Sequence, residues 1–136
     1  MLRCALLPWC GLAALLVGCS TLHGPSCTAG EQRSVSELLY FGTAKPKGVV
    51  SAEEWSAFLG SVVTPRFPQG LSAWQAAGQW QSADGSLKRE NSFVLNLVHP
   101  EGEAGDKAIQ AIVTEYKARF QQEAVLRVKS YACTSF

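Results

Sequence analysis

The chain has 136 residues, 47% of them hydrophobic, with 12 Lys+Arg against 11 Asp+Glu and a formal net charge of +1. So even a balance lacks the basic footprint that nucleic-acid binding needs, and a chain of this length holds one hydrophobic core. Two histidines among five cysteines, with no CxxC or HxxxH spacing, offer no ligand set for a structural metal, and no motif calls for a cofactor.

The first segment has one positive charge, Arg3, and an apolar run from Cys4 to Val17 that is too short for a permanent membrane span. It closes in Leu16-Val17-Gly18-Cys19, which resembles a bacterial lipobox at every position. Residues 1–18 therefore read as a lipoprotein signal peptide, Cys19 as the lipidated residue, 19–33 as a flexible tether and 34–136 as the domain. The leader contains Arg3 and no acid, so its removal leaves 11 Lys+Arg against 11 Asp+Glu. The expected partner is membrane lipid through acylated Cys19, and the expected place is the bacterial cell envelope. Ser20 rather than Asp after the cysteine points to the outer membrane, facing the periplasm, in a host with two membranes. Cys4 and Cys10 leave with the leader and Cys19 is taken by lipid. Cys27 and Cys133 remain as one disulfide in an oxidising compartment.

Residues 34–42 are β-prone and stop at Gly42, before a Lys45-Pro46-Lys47-Gly48 turn. Ser51 with Glu54 spells a capping box, and Val50 with Trp55 a hydrophobic staple. Trp55, Phe58, Leu59, Val62 and Val63 then form one helical stripe that Pro65 ends. Residues 71–81 and 88–99 read as two strands around Asp84-Gly85, the dipeptide of type I′ hairpins. Centring the hairpin there pairs Trp80 with Arg89, Ala76 with Phe93 and Trp74 with Leu95, placing the tryptophans on the core face. A second helix covers roughly 105–121, with Ile109, Ile112, Val113, Tyr116 and Phe120 inward. A last strand, 124–132, sends Ala124, Leu126 and Val128 inward and Val125, Arg127 and Lys129 outward. The order βαββαβ predicts an α+β fold, a ferredoxin-like sandwich whose four-stranded antiparallel sheet runs 4-1-3-2 with both helices on one face. In that sheet the chain before the first strand meets the chain after the last, which is where Cys27 and Cys133 stand.

Leu39-Tyr40-Phe41-Gly42, Val63-Thr64-Pro65-Arg66-Phe67-Pro68, Gly78-Gln79-Trp80, Arg89-Glu90, Val98-His99-Pro100, Phe120-Gln121-Gln122-Glu123 and Ala132-Cys133-Thr134-Ser135-Phe136 together resemble a family of small secreted bacterial proteins. That family is the domain of unknown function 3574. The resemblance runs from about Cys27 to Phe136 and implies an envelope protein, with no activity or catalytic residue to carry over.

No residue pattern spells out a reaction. His99 is the one side chain with a near-neutral reference pKa in the domain, but no nucleophile and orienting group can be assigned to it. A strand-end histidine bonded to a loop is the plainer reading. Trp80 and Arg89 could stack, or line a pocket mouth with Arg66 and Glu90. Neither GxGxxG nor GxxxxGK[ST] occurs. Glu37 decides the faces of the first strand. Buried under helices it would be an unpaired charge, so Leu38 and Tyr40 are expected to face the helices. The opposite face then gathers Glu37, Leu39, Phe41, Gln79, Asn96 and Arg127 as the candidate ligand or dimer face, with Glu37 opposite Arg127. Three functions fit: a binding or assembly module that pairs with itself or holds a small ligand, a cofactorless enzyme of the dimeric α+β barrel type, and a purely structural envelope protein.

Overall fold

The computed structural model describes residues 26–81 and 84–136, so the leader, Cys19 and most of the tether lie outside the described residues. In chain order the elements are β1 (Gln32–Gly42), β2 (Ala44–Lys45), β3 (Gly48–Val49), α1 (Ala52–Phe58), β4 (Ser72–Gln81), β5 (Leu87–Pro100), α2 (Glu103–Phe120) and β6 (Val125–Thr134). The capping box is made: Glu54 N–H donates to Ser51 Oγ at 3.2 Å and Ser51 N–H to Glu54 Oε2 at 2.9 Å. Val50 and Trp55 are both buried, as a staple requires. Beyond Phe58 the helix widens into a π-helical turn, Leu59–Val63, where Thr64 N–H donates to Leu59 O at 2.9 Å. Arg66 then closes this end by donating from Nη1 to Val62 O at 2.6 Å.

The main sheet runs β4-β5-β1-β6 with every neighbour antiparallel, the 4-1-3-2 order of the ferredoxin-like α+β sandwich; β2 and β3 form a small separate hairpin. Cys27 and Cys133 are disulfide-bonded, with Cα atoms 5.5 Å apart, and tie the chain before β1 to the end of β6. The core is aromatic. Phe41 meets Tyr116 at 4.6 Å between ring centroids, and Trp55 stacks on Phe93 at 4.8 Å. Each such ring contributes about 1.5–3 kcal/mol by burial. Tyr116 OH donates to Gly42 O at 2.9 Å, and burial raises its pKa, so it remains a donor.

Two expectations about the faces are overturned. Val35, Glu37, Leu39 and Phe41 face the helices, while Leu38 and Tyr40 lie on the open face. Glu37 tolerates this because cations stand within reach of it beneath α2. β6 follows the same parity: Val125 packs on the core, whereas Leu126 is 61% and Val128 44% exposed. The β6 register differs by two, with Leu39 opposite Arg127 and Glu37 opposite Lys129. In the β4–β5 hairpin Trp74 pairs with Val94, Ala76 with Ser92, Gln79 with Arg89 and Trp80 with Lys88, one residue from the expected register. That slip sends both tryptophans to the open face, while Phe93, Leu95 and Leu97 lie in the core as expected.

Candidate functional site

Two features stand out against the ordinary core. One is a buried polar cluster under α2, and the other is the open face of the sheet. They lie on opposite sides of β1.

The cluster is built by strand alternation, which brings Glu37, Arg127, Lys129 and His99 to the helix side, and by the first turn of α2, which lowers Asp106 onto them. Glu37 is fully buried. Arg127 grips its carboxylate through two nitrogens, Nε at 2.8 Å from Oε2 and Nη2 on Oε1. Nη2 also reaches Asp106 Oδ1 at 2.5 Å, and Lys129 Nζ reaches the same oxygen at 2.9 Å. Charges thus alternate from the interior to the surface, as a buried ion pair requires if its desolvation is to be offset. Hydrogen bonds from Arg127 first and then Lys129 hold the Asp106 carboxyl below the usual carboxylate range, and the bond to Glu37 raises the Arg127 pKa further.

His99 is also buried, with 7% of its surface exposed. Its Nδ1–H donates to Pro100 O at 2.7 Å, which leaves Nε2 without a hydrogen-bond partner and 3.7 Å from Glu37 Oε1. Gly105 makes room for the ring: a Cβ there would lie 2.3 Å from His99 Cε1. The imidazole borders a cleft of about 360 Å³ between the Arg66–Gly70 connector and the start of α2. Nδ1 is taken by Pro100 O and Nε2 is closed off from solvent, so His99 acts here as a wedge between strand and helix. A larger hollow of about 540 Å³ lies beside Lys45 and Arg119, but both cations already have partners, Glu54 at 2.6 Å and Glu115 at 2.8 Å.

The open face carries three adjacent rows. Trp74, Val94, Tyr40 and Leu126 make one; Ser72, Asn96, Leu38 and Val128 the next; Val98, Ser36 and Ser130 the third. Val94 is fully buried yet stands outside the main core cluster, because its burial comes from neighbours on this side. Trp74 is 46% exposed and Val98 44%. No charged residue stands in the three rows.

The expected site residues are therefore split. Glu37, Leu39, Phe41 and Arg127 are joined on the helix side, with Gln79 on that side of the hairpin but exposed; of the six, Asn96 is on the open face. Arg66 caps a helix carbonyl, and Arg89 is exposed opposite Gln79 rather than Trp80. The cation–π contacts formed among the described residues are Arg33 on Tyr131, Lys45 on Phe120 and Arg119 on Phe58. Sequence reasoning missed Asp106, Gly105, Tyr40 and Leu126. An acid in a helix first turn and a glycine one residue before it were the only signals for the first two.

A family model described as "Protein of unknown function (DUF3574)" matches residues 36–136. The chain belongs to this family. Among curated proteins nothing matches. Among solved structures, a phage SAM lyase in complex with S-methyl-5'-thioadenosine is similar, with a TM-score of 0.54 and 18% identity over 82% of this chain and 95% of that one. The phage SAM lyase in its apo state is similar too, at a TM-score of 0.53 and 17% identity over the same shares. At these identities the likeness is one of fold. The DUF3574 chain shares the lyase's architecture across nearly the whole of that enzyme.

Proposed function

We propose that this DUF3574 protein is a lipid-anchored envelope module that works by docking through the open face of its sheet. The observation that carries the reading is the face itself. Contiguous, uncharged apolar surface of this kind is rare on monomers and marks an interaction site. The envelope address is supported by Leu16-Val17-Gly18-Cys19 and by the Cys27–Cys133 disulfide, a bond of oxidising compartments. The test is photo-crosslinking in cells with benzoylphenylalanine at Leu126, against a control at exposed Gln110 on α2. A covalent adduct from position 126 and none from 110 is expected; no adduct from 126 would refute the reading.

A cofactorless enzyme is the second reading, favoured by the shared fold with a lyase whose complex holds S-methyl-5'-thioadenosine. It stands second because Glu37 is fully buried and held by Arg127, and His99 Nδ1 is taken by Pro100 O. Calorimetric titration with S-methyl-5'-thioadenosine tests it directly: saturable binding would move this reading to first place.

A further inference from the structure

The two edges of the main sheet are built differently. β6 carries Arg127 and Lys129, and cationic side chains on an edge strand discourage pairing with another chain. β4, at the other edge, pairs with β5 alone, and nine of its ten residues are exposed. No charged residue or proline stands from Ser72 to Gln81, and the pairing with β5 runs through them without a bulge. This edge therefore lacks the features that commonly blunt one. Its sequence is also close to a palindrome. In Trp74-Gln75-Ala76-Ala77-Gly78-Gln79-Trp80 a small residue, a glutamine and a tryptophan follow in the same order on either side of Ala77.

We infer that β4 pairs antiparallel with β4 of a second copy of this chain, on a two-fold axis through Ala77. The inference goes beyond the docking reading, since it uses the edge of the sheet and not its open face. An isologous contact sets residue i against residue j and j against i, so a strand that meets itself must match its own reverse. β4 does. Centred on Ala77, Trp74 meets Trp80 of the second copy, Gln75 meets Gln79 and Ala76 meets Gly78. Both helix layers then lie on one side of a continuous sheet. The next registers that keep them there centre on Ala76 or Gly78, and they set Trp74 against Gly78 or Trp80 against Ala76. Aromatic pairs directly across an antiparallel ladder stabilise it, which favours the axis at Ala77. Pairing over Ala73–Gln81 forms about eight to ten main-chain hydrogen bonds, as many as a standard interface carries. The assembly also closes. Once the two β4 edges are joined, the edges left are those of β6, with Arg127 and Lys129, so growth stops at two copies.

Cysteine cross-linking of the full chain in cells is the test. Residues facing each other across an antiparallel pair have Cα atoms about 4.5–5.5 Å apart, within the span of a disulfide. Ala77→Cys should therefore give, on oxidation, a reducible band at twice the mass of the chain. Gln79→Cys, about 14 Å from its own counterpart in this register, should give none, and neither should the wild type. Sedimentation equilibrium of the purified full chain in detergent measures the strength, with near-UV circular dichroism confirming that each variant is folded. Gln75→Lys with Gln79→Lys sets like charges opposite each other and should weaken the dimer roughly tenfold at low salt. Gln75→Glu with Gln79→Lys sets opposite charges at the same places and should restore it. A folded Ala77→Cys protein without the band, or a double-lysine variant that dimerises like the wild type, overturns the pairing. A Glu/Lys variant as weak as the double-lysine one overturns the register. Leu126 stands on β6, at the far edge of the sheet, so the crosslink from that position still decides the docking reading if the β4 pairing fails.

Discussion

Replacing Arg127 with Met should strand Glu37, a carboxylate with no exposed surface. Lys129, its cross-strand neighbour, is committed to Asp106, and His99 Nε2 stands 3.7 Å away. Breaking a buried pair from one side costs about 3–5 kcal/mol. Arg127 is 25% exposed, so water entering the vacated space lowers the expectation to about 3–4 kcal/mol. For a domain of this size that is a fall of roughly 12–16 °C in Tm. With a urea m-value of about 1–1.5 kcal/mol/M it is also a midpoint shift of about 2–4 M. Glu37→Leu in the same chain removes the stranded charge, so the double variant should lose about 1 kcal/mol or less against wild type. Urea unfolding followed by tryptophan fluorescence, with the disulfide intact, measures all three. A cost below about 1 kcal/mol for Arg127→Met, or a double variant worse than the single, would refute the claim that the pair is coupled under α2.

Gly105→Ala should destabilise despite a helix-propensity gain of about 1 kcal/mol, because the new Cβ overlaps the His99 ring at a cost of about 1–3 kcal/mol. In a His99→Ala background the same change should become neutral or stabilising, and thermal unfolding of the four proteins decides. Cys27→Ser with Cys133→Ser, which opens a link spanning 106 residues, should cost about 4–5 kcal/mol in urea unfolding on the chain-entropy account. Asp106 has a folded pKa below its unfolded one, so its bonds to Arg127 and Lys129 stabilise above the unfolded value and are lost as pH falls through the folded value. Asp106→Asn should therefore lose less stability than wild type between pH 5 and pH 3, compared by urea midpoints.

Helix starts, strand order and the disulfide were legible because each depends on local residue chemistry or on topology alone. Ser51 and Glu54 cap whatever lies around them, and Cys27 and Cys133 meet wherever the first and last strands are neighbours. Parity was not legible. Val35 to Phe41 is apolar on both sides of the strand, so the choice of face hung on Glu37. A buried Glu37 does have a partner, because Arg127, two residues along β6 from the position opposite it, reaches diagonally to it while Asp106 on α2 takes the outer edge of the guanidinium. The hairpin misled for a different reason. Asp84 Oδ1 accepts from both Ser86 N–H and Ser86 Oγ, at 2.9 and 2.7 Å, so Asp84 anchors a turn within a longer connection. Strand pairing stops at Gln81 and Leu87, and the one-residue difference reverses every side chain in β4. The tryptophans that looked like core became the candidate site.

Hydroxyl-radical footprinting of the full chain in intact cells tests most directly whether the open face is occupied. Trp74, 46% exposed on that face, is compared with Tyr131, 43% exposed on the other side of the sheet. Relative to purified domain at high dilution, Trp74 oxidation should fall several-fold while Tyr131 oxidation is unchanged. Equal oxidation of Trp74 in cells and at high dilution would contradict the account.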